Sequence, residues 1–124
     1  MGQKVSPLAL RIGYIEDWRS LWFAEHQEYA NNVIEDNKIR KFIKERFKQA
    51  AVAKVVIERL ADKTKIVIHT ARPGVIIGRR GADIDRLRME LGKISSKEIA
   101  IDPREIKNPV IEAQLIAQNI AFQL

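Results

Sequence analysis

Hydrophobic and polar positions divide the chain into an irregular start and a longer region of alternating helices and strands. Residues 1–24 show no sustained period, although Leu8, Leu10 and Ile12 alternate with their neighbours and permit a short strand. Residues 25–49 carry apolar side chains mostly three or four positions apart, which predicts a long helix. The apolar positions of that helix are Tyr29, Val33, Ile39, Phe42, Ile43 and Phe47.

Two strands are predicted after this helix, at residues 54–59 and 65–70. Apolar side chains alternate in both segments, so each strand places them on one face. Residues 61–64, Ala-Asp-Lys-Thr, are typical of a turn, so we expect the two strands to form an antiparallel hairpin. The inward positions are Val55, Ile57, Ile66 and Ile68.

A pair of short helices is predicted next, on either side of a loop rich in glycine and arginine. Pro73 begins the first helix, since a proline at the first helical position loses no hydrogen bond. The second helix covers residues 82–91 and ends at Gly92. Its inward positions are spaced by three and four: Ile84, Leu87 and Leu91.

A third strand at residues 98–102 and a final helix at residues 109–124 complete the pattern. Asn108 and Pro109 are a good cap and first position for that helix. Because the second and third strands are joined through the helix pair, they are expected to be parallel, with a right-handed crossover. The chain is therefore predicted to be an α+β domain, with a three-stranded mixed sheet, helices packed on one face and an irregular N-terminal arm.

The final helix carries more apolar surface than contact with one small sheet can bury. Its apolar positions fall on a broad face, and the pattern runs to the last residue without a polar tail. We therefore expect this helix to make contacts beyond the domain. We also expect the chain to be a truncated or split version of a longer protein.

Charge narrows the choice of partner. The 124 residues include 22 Lys and Arg against 16 Asp and Glu, a net charge of +6. This excess favours a polyanion, either a nucleic acid or an acidic membrane surface. The absence of cysteine excludes disulfides and thiolate metal sites and is typical of reducing compartments. The sequence contains no run of about 18 apolar residues, which is the length that a membrane-spanning helix needs.

Residues 75–81, Val-Ile-Ile-Gly-Arg-Arg-Gly, are the strongest candidate site. Mononucleotide and dinucleotide phosphate loops require other spacings of glycine, so both are excluded. A G-x-x-G loop between two helices, with a basic central pair and strands on both sides, is the K-homology (KH) arrangement, here in its type II order. Such a loop clamps an RNA backbone through Gly78, Arg79, Arg80 and Gly81. The alternative is a plain helix-turn-helix linker whose arginines are incidental.

Other basic residues are candidates of second rank for RNA contacts. The arm also holds four of the chain's eight aromatic residues within ten positions, which either pin it to the domain or stack on bases. The long helix has lysines on one side at positions 41, 44 and 48, which form either a solvated face or a phosphate-facing surface. The second-rank candidates are Arg72, Lys4, Arg11, Arg19, Arg86 and Arg88.

The sequence resembles the family of small-ribosomal-subunit protein three of bacteria and organelles, over essentially the whole chain. The run His-Thr-Ala-Arg-Pro-Gly at residues 69–74 is highly specific to that family. Further matching runs are Met-Gly-Gln-Lys-Val at 1–5, Arg-Ile-Gly at 11–13, Asp-Trp-Arg-Ser at 17–20, Lys-Ile-Arg at 38–40, Val-Ile-Ile-Gly at 75–78, Asn-Pro at 108–109 and Ala-Gln-Leu at 113–115.

This resemblance implies a protein of the subunit head that binds 16S-type rRNA. It also implies mRNA nearby, at the channel through which mRNA enters, and two neighbouring head proteins, numbers ten and fourteen. The implied location is the ribosome in the cytoplasm, or in an organellar matrix. Ala9 and Leu60 depart from the usual glycine and proline of the family. The family's second, arginine-rich domain has no counterpart in these residues, so mRNA unwinding is not carried over.

The domains are thus expected to be an arm at residues 1–24 and a type II KH domain at residues 25–124. A non-catalytic ribosomal RNA-binding protein is the leading hypothesis, and a free-standing KH chaperone or regulator is the alternative. Paired carboxylates, a Ser/His/Asp signature and metal spacings are lacking. His69 has no second histidine at a ligand spacing, so we expect no catalytic residues, no metal and no cofactor.

Overall fold

A computed structural model of the protein describes residues 2–95, 97–107 and 111–124, with only the backbone at position 49. The helices and strands follow the predicted order, with two additions in the arm. In chain order they are α1 (Pro7–Arg11), β1 (Ser20–Leu21), α2 (His26–Arg46), β2 (Val52–Arg59), β3 (Lys63–Thr70), α3 (Pro73–Ile77), α4 (Ala82–Gly92), β4 (Glu98–Glu105) and α5 (Ala113–Gln123). Short 3-10 turns lie at Lys48–Ala50 and Arg79–Gly81.

The sheet has four strands in the order β1-β2-β3-β4 rather than the three that were predicted. β2 and β3 form the predicted antiparallel hairpin, and β3 and β4 are parallel, as expected from the crossover through α3 and α4. The additional strand, β1, comes from the arm and pairs in parallel with β2, with Ser20 opposite Ile57. Two residues are too few to show a period of two, so the pattern could not reveal this strand.

The strand permitted around Leu8, Leu10 and Ile12 is wrong, because residues Pro7–Arg11 form α1. Proline at the first helical position favours a helical start, and the Leu10 N–H donates to the Ser6 carbonyl at 3.2 Å. None of the five residues of α1 is buried. The alternation of Leu8, Leu10 and Ile12 with their neighbours therefore does not indicate one face of a sheet.

The core lies between the sheet and the helices α2, α3 and α4. Ile39 and Ile43 of α2, Ile76 of α3 and Leu87 and Leu91 of α4 are fully buried. They join inward residues of the strands in one cluster. The strand members are Val52, Val55, Ile57, Ile66, Ile68 and Ile99. An α+β domain with helices on a mixed sheet is thus confirmed.

The last helix, α5, is placed differently from the core helices α2, α3 and α4. The predicted start at Asn108 and Pro109 lies outside the described residues. Leu115 is buried, but it is not part of the main core cluster, and Ile120 and Phe122 remain exposed. Among the described residues α5 therefore leaves much apolar surface uncovered. No helix described here is long and apolar enough to cross a membrane.

A buried ionic network attaches the arm to the domain. The Arg59 side chain on β2 is 5% exposed and the Asp36 side chain on α2 is 3% exposed. Arg59 Nε and Nη2 donate to Asp36 Oδ1 at 3.1 and 2.5 Å. The other carboxylate oxygen, Oδ2, accepts from Trp22 Nε1 of the arm at 2.7 Å. One carboxylate thus connects a helix, a strand and the arm.

A second arginine, Arg40, also holds the arm at this junction between the arm and the domain. Arg40 Nη2 donates to the Arg19 carbonyl at 2.7 Å and to Ser20 Oγ at 2.8 Å. The Arg19 carbonyl also accepts from the Ile57 N–H of β2 at 2.9 Å. Burial lowers the pKa of Arg40, and the nearby Asp36 partly offsets that effect. These contacts turn the end of the arm into an edge strand of the sheet.

Candidate nucleic-acid interface

The loop between α3 and α4 is shaped by two glycines with positive φ. Gly78 ends α3 with φ 70° and ψ −169°, and its N–H donates to the Gly74 carbonyl at 3.0 Å. Gly81, with φ 75° and ψ 12°, lies immediately before α4. The conformation of Gly78 is almost restricted to glycine, and that of Gly81 is left-handed. The two glycines therefore allow the backbone to turn from α3 into α4 within four residues.

A side chain at Gly78 would collide with the first turn of α4. A methyl carbon built there would lie 2.7 Å from Asp83 Cβ and closer still to the Asp83 carboxylate. By contrast, the nearest atom to a methyl carbon at Gly81 is 3.8 Å away, on Ile84. The first glycine of the loop is thus required both by its backbone conformation and by the close approach of Asp83.

Arg79 and Arg80 form the tip of the loop, and both side chains are exposed. Arg80 has φ 53° and ψ 28°, a left-handed conformation that costs an ordinary residue about 1–2 kcal/mol. Within the described part of the chain, neither arginine takes part in an ion pair. The tip therefore presents two guanidinium groups whose hydrogen-bond donors face solvent, as a phosphate ligand requires.

A family comparison agrees with this geometry. The sequence profile of the KH domain matches residues 38–111, which include the loop, both flanking helices and strands β2 to β4. The chain belongs to the KH-domain family. In KH domains a G-x-x-G loop of this kind clamps the nucleic-acid backbone.

Several relatives match the chain over its full length. It is 49% identical to small ribosomal subunit protein uS3 of Desulforamulus reducens, 52% identical to that of Carboxydothermus hydrogenoformans and 50% identical to that of Trichlorobacter lovleyi. Each match covers 100% of this chain. The resemblance to the family of small-subunit protein three is therefore confirmed. The chain spans 56% to 59% of the length of these relatives, a little over half.

Three further arginines flank the loop of the KH domain. Arg72 precedes α3, and its N–H donates to Thr70 Oγ1 at 3.1 Å, which holds the chain where β3 ends. Arg86 and Arg88 are exposed on α4, but residues two apart on a helix do not share a side. Arg88 also lies 3.7 Å from Asp85 in an exposed ion pair. Arg72, Arg86 and Arg88 therefore cannot all face a single ligand.

The arm candidates Lys4, Arg11 and Arg19 are exposed, but they do not converge on the loop. Strand β1 lies at one edge of the sheet, whereas α4 packs against β4 at the other edge. Three strand spacings separate these edges, which is about 14 Å. Arg11 Nη1 donates within its own helix, to the Pro7 carbonyl at 3.4 Å. The second-rank candidates thus belong to at least two separate surfaces of the protein.

An acidic residue at the loop, Asp83, was not identified from the sequence. Asp83 and Asp85 stand in the first turn of α4, where acidic side chains complement the helix dipole. The packing of Asp83 against Gly78 shows that a carboxylate faces the same loop as the two arginines. The spacing of Gly78 and Asp83 carries no sequence signal for this contact, because the contact depends on the fold of the turn between them.

No three His, Asp or Glu side chains among the described residues are arranged to hold a metal ion. His69 lies on β3, opposite Lys54 on β2 and Arg104 on β4. Burial lowers the pKa of His69 from its ordinary value of 6.5, and Lys54 and Arg104 lower it further. Glu112 and Asp102 act in the opposite direction, with a smaller effect. The neutral imidazole is therefore the form that the fold favours.

This pKa shift predicts how stability depends on pH. Since the unfolded chain binds a proton at His69 more readily than the folded chain, the stability contribution is complete above about pH 6.5 and is lost as the pH falls below it. Urea denaturation of the wild type and of His69→Gln between pH 7.5 and 5 tests this. We expect the loss on acidification to be smaller in the variant, and equal losses would contradict the assignment.

Proposed function

We propose that this chain is an RNA-binding, non-catalytic component of the small ribosomal subunit. It binds small-subunit rRNA through the G-x-x-G loop of its KH domain and through basic surfaces around that loop. The observation that carries the proposal is the exposed Arg79–Arg80 pair on a glycine-shaped turn. The full-length similarity to proteins named small ribosomal subunit protein uS3 supports the ribosomal setting.

The loop suits a nucleic-acid backbone for two physical reasons. Without Cβ atoms at Gly78 and Gly81, a phosphate can approach the main chain closely. The two arginines offer several N–H donors each and can bind phosphate oxygens in pairs. Such contacts depend on the backbone and not on the base, so they position RNA without reading its sequence.

The partners of the proposed component follow from the resemblance to the family. They are 16S-type rRNA in the subunit head, mRNA near the channel through which it enters, and head proteins ten and fourteen. The expected location is on ribosomes, in the cytoplasm or in an organellar matrix. The uncovered apolar residues of α5 are compatible with a protein neighbour.

Reversing the charge of the loop tests the proposal. In Arg79→Asp/Arg80→Asp we expect affinity for a transcript of the small-subunit head to fall at least about tenfold at low salt, because two phosphate contacts become repulsive. The slope of log affinity against log salt should shrink by about 1.4, or 0.7 for each phosphate contact on single-stranded RNA. Filter binding or fluorescence anisotropy at several salt concentrations measures both quantities.

A matched control is Lys63→Asp/Lys93→Asp, which makes the same charge change away from the loop. Lys63 begins β3 and Lys93 follows α4, so each lies at the end of its element that is remote from the G-x-x-G turn. The control should lose much less affinity than the loop variant. Equal losses would show that net charge, and not the loop, drives binding.

Sedimentation distinguishes the proposed ribosomal component from the alternative, a free-standing KH chaperone or regulator. A ribosomal component stays with small subunits in a sucrose gradient at high salt, because many contacts hold it in place. A regulator that binds through the loop alone is released under the same conditions. Release at high salt, together with intact RNA binding by the isolated chain, would favour the alternative.

A further inference from the structure

A groove lies between the arm and the N-terminal half of α2, away from the G-x-x-G loop. It has a volume of about 860 Å³. The residues that line it are mostly aromatic or aliphatic and come from both segments. Those used below are Trp18, Leu21, Trp22, Tyr29, Val33 and Ile34. Among them, the Trp18 and Tyr29 residues are 61% and 57% exposed, which is unusual for such large apolar side chains.

Part of this groove is rigid. Trp22 Nε1 is held by Asp36, and the guanidinium carbon of Arg59 lies 5.9 Å from the Trp22 ring centroid. The Tyr29 ring lies 5.4 Å from the Trp22 ring at an angle of 58°. The wall is therefore fixed by a buried network before any ligand binds. A preformed aromatic surface loses little conformational entropy on binding.

A basic row continues the groove along α2. Beyond Val33 and Asn37, which line the groove, Lys41 and Lys44 follow at four- and three-residue spacing on the same side of α2. Lys48 lies just beyond the end of α2, in the 3-10 turn Lys48–Ala50. All three are exposed, and none forms an ion pair within the part of the chain that the structure describes. Lys41 and Lys44 are about 4.5 Å apart along the axis of α2, at 1.5 Å of helix rise per residue.

From this combination we infer that the groove and the lysine row bind unpaired RNA nucleotides, as a contact separate from the G-x-x-G loop. Exposed rings stack on bases, and the lysines neutralise the phosphates that follow. Aromatic side chains beside a positively charged track are the arrangement by which proteins hold single strands. The inference rests on the proposed RNA-binding function and adds to it a second surface with a preference for unpaired RNA.

Charge complementarity selects RNA over a protein occupant. An apolar groove alone would fit a protein segment equally well. Three exposed lysines that follow the groove along the chain, without an ion pair among the described residues, instead favour a ligand with several negative charges. Double-stranded RNA fits poorly, because its bases are stacked inside the helix and cannot reach Trp18 or Tyr29.

Tryptophan fluorescence tests this site directly. The chain has only two tryptophans, Trp18 and Trp22, and both line the groove. Titration with an unstructured single-stranded RNA 12-mer should quench their emission, whereas an RNA duplex of the same length should quench it much less. The Arg79→Asp/Arg80→Asp variant should still show quenching by the 12-mer, because its groove is intact.

Substitutions then separate stacking from charge. Trp18→Ala and Tyr29→Ala should each weaken binding of the 12-mer at least about fivefold, since stacking contributes on the order of 1–3 kcal/mol per base, and should leave the salt slope unchanged. Lys41→Gln/Lys44→Gln/Lys48→Gln should instead reduce the slope by about 2. Trp18→Phe and Tyr29→Phe keep a ring and serve as matched controls. Thermal denaturation verifies that each variant is folded.

Three results would overturn the inference. One is binding of the 12-mer, seen by anisotropy, with no change in tryptophan emission. Another is equal quenching by single-stranded and duplex RNA. The third is unchanged RNA affinity in Trp18→Ala and Tyr29→Ala together with lost binding to small-subunit proteins, which would assign the groove to a protein partner. If the wild type bound no RNA by any method, the proposed function itself would fail, and that result is distinct from these three.

Discussion

Replacing Asp36 by alanine is expected to lower the free energy of unfolding by about 3–5 kcal/mol. The Arg59 side chain is 5% exposed, and without Asp36 its charge would lose its closest partner in a region from which water is excluded. Glu35 lies 3.7 Å from Arg59 and is a weaker replacement. Trp22 Nε1 would lose its acceptor as well. The loss is large because a charge and a donor are left unpaired, not because an ion pair is strong in itself.

Urea denaturation followed by tryptophan fluorescence measures this effect, since both tryptophans lie beside the network. Asp102→Ala is a matched control. Asp102 accepts from Arg104 at 3.2 Å on the surface, where an ion pair contributes about 0–1 kcal/mol. The double variant Asp36→Leu/Arg59→Met removes both charges and should recover much of the lost stability. A loss below 1 kcal/mol in Asp36→Ala would contradict this account of the junction.

The arm should respond most strongly to the same substitution. Strand β1 has two residues, so its pairing with β2 contributes little without the contacts of Trp22 and Arg40. In Asp36→Ala we therefore expect faster amide hydrogen exchange at Ile57, whose N–H donates to the Arg19 carbonyl. The other amides of the β2–β3 hairpin should change less.

Alanine at Gly78 is expected to disable the loop. The backbone conformation alone costs about 1–3 kcal/mol for a residue with a side chain. The added methyl carbon would also meet Asp83, so the turn must shift as a whole. We expect reduced stability, together with a loss of RNA affinity comparable to that of Arg79→Asp/Arg80→Asp, although no charge is removed.

Gly74→Ala is the control for Gly78→Ala, because a methyl carbon at Gly74 meets no atom within 4 Å and Gly74 lies inside α3. That variant should be neutral or slightly more stable. The double variant Gly78→Ala/Asp83→Ala removes the collision but keeps the unfavourable backbone, so it should recover only part of the loss. Wild-type RNA affinity in Gly78→Ala would show that the turn is not needed for binding.

The candidate loop could be predicted almost completely from the sequence. Two glycines, two arginines and an amphipathic helix after them are contiguous, and their geometry depends on local backbone preferences. The structure confirms a tight turn with exposed arginines at its tip. Asp83 was missed because its approach to Gly78 depends on how the first turn of α4 folds back on the end of α3.

The fold was predicted where periodicity was long enough to be read. The long helix, the hairpin, the helix pair and the parallel third strand of the prediction all have a regular apolar face. The arm has no such period, and there the predicted strand was wrong and β1 was missed. Its conformation depends on pairing with β2 and on the Asp36 carboxylate, which lies 14 positions beyond Trp22.

Short-range patterns and composition in the amino-acid sequence were enough to predict the KH domain, its G-x-x-G loop and an excess of positive charge. Backbone preferences and apolar periodicity act over a few residues, so they can be read along the chain. Only the tertiary structure decided that Asp36, Arg59 and Trp22 share one buried site. It also decided that β1 of the arm and helix α4 lie towards opposite edges of the sheet, and that both tryptophans line one groove beside α2. These features depend on contacts between distant segments, whose energies arise from burial and exclusion of water and leave no pattern in the sequence.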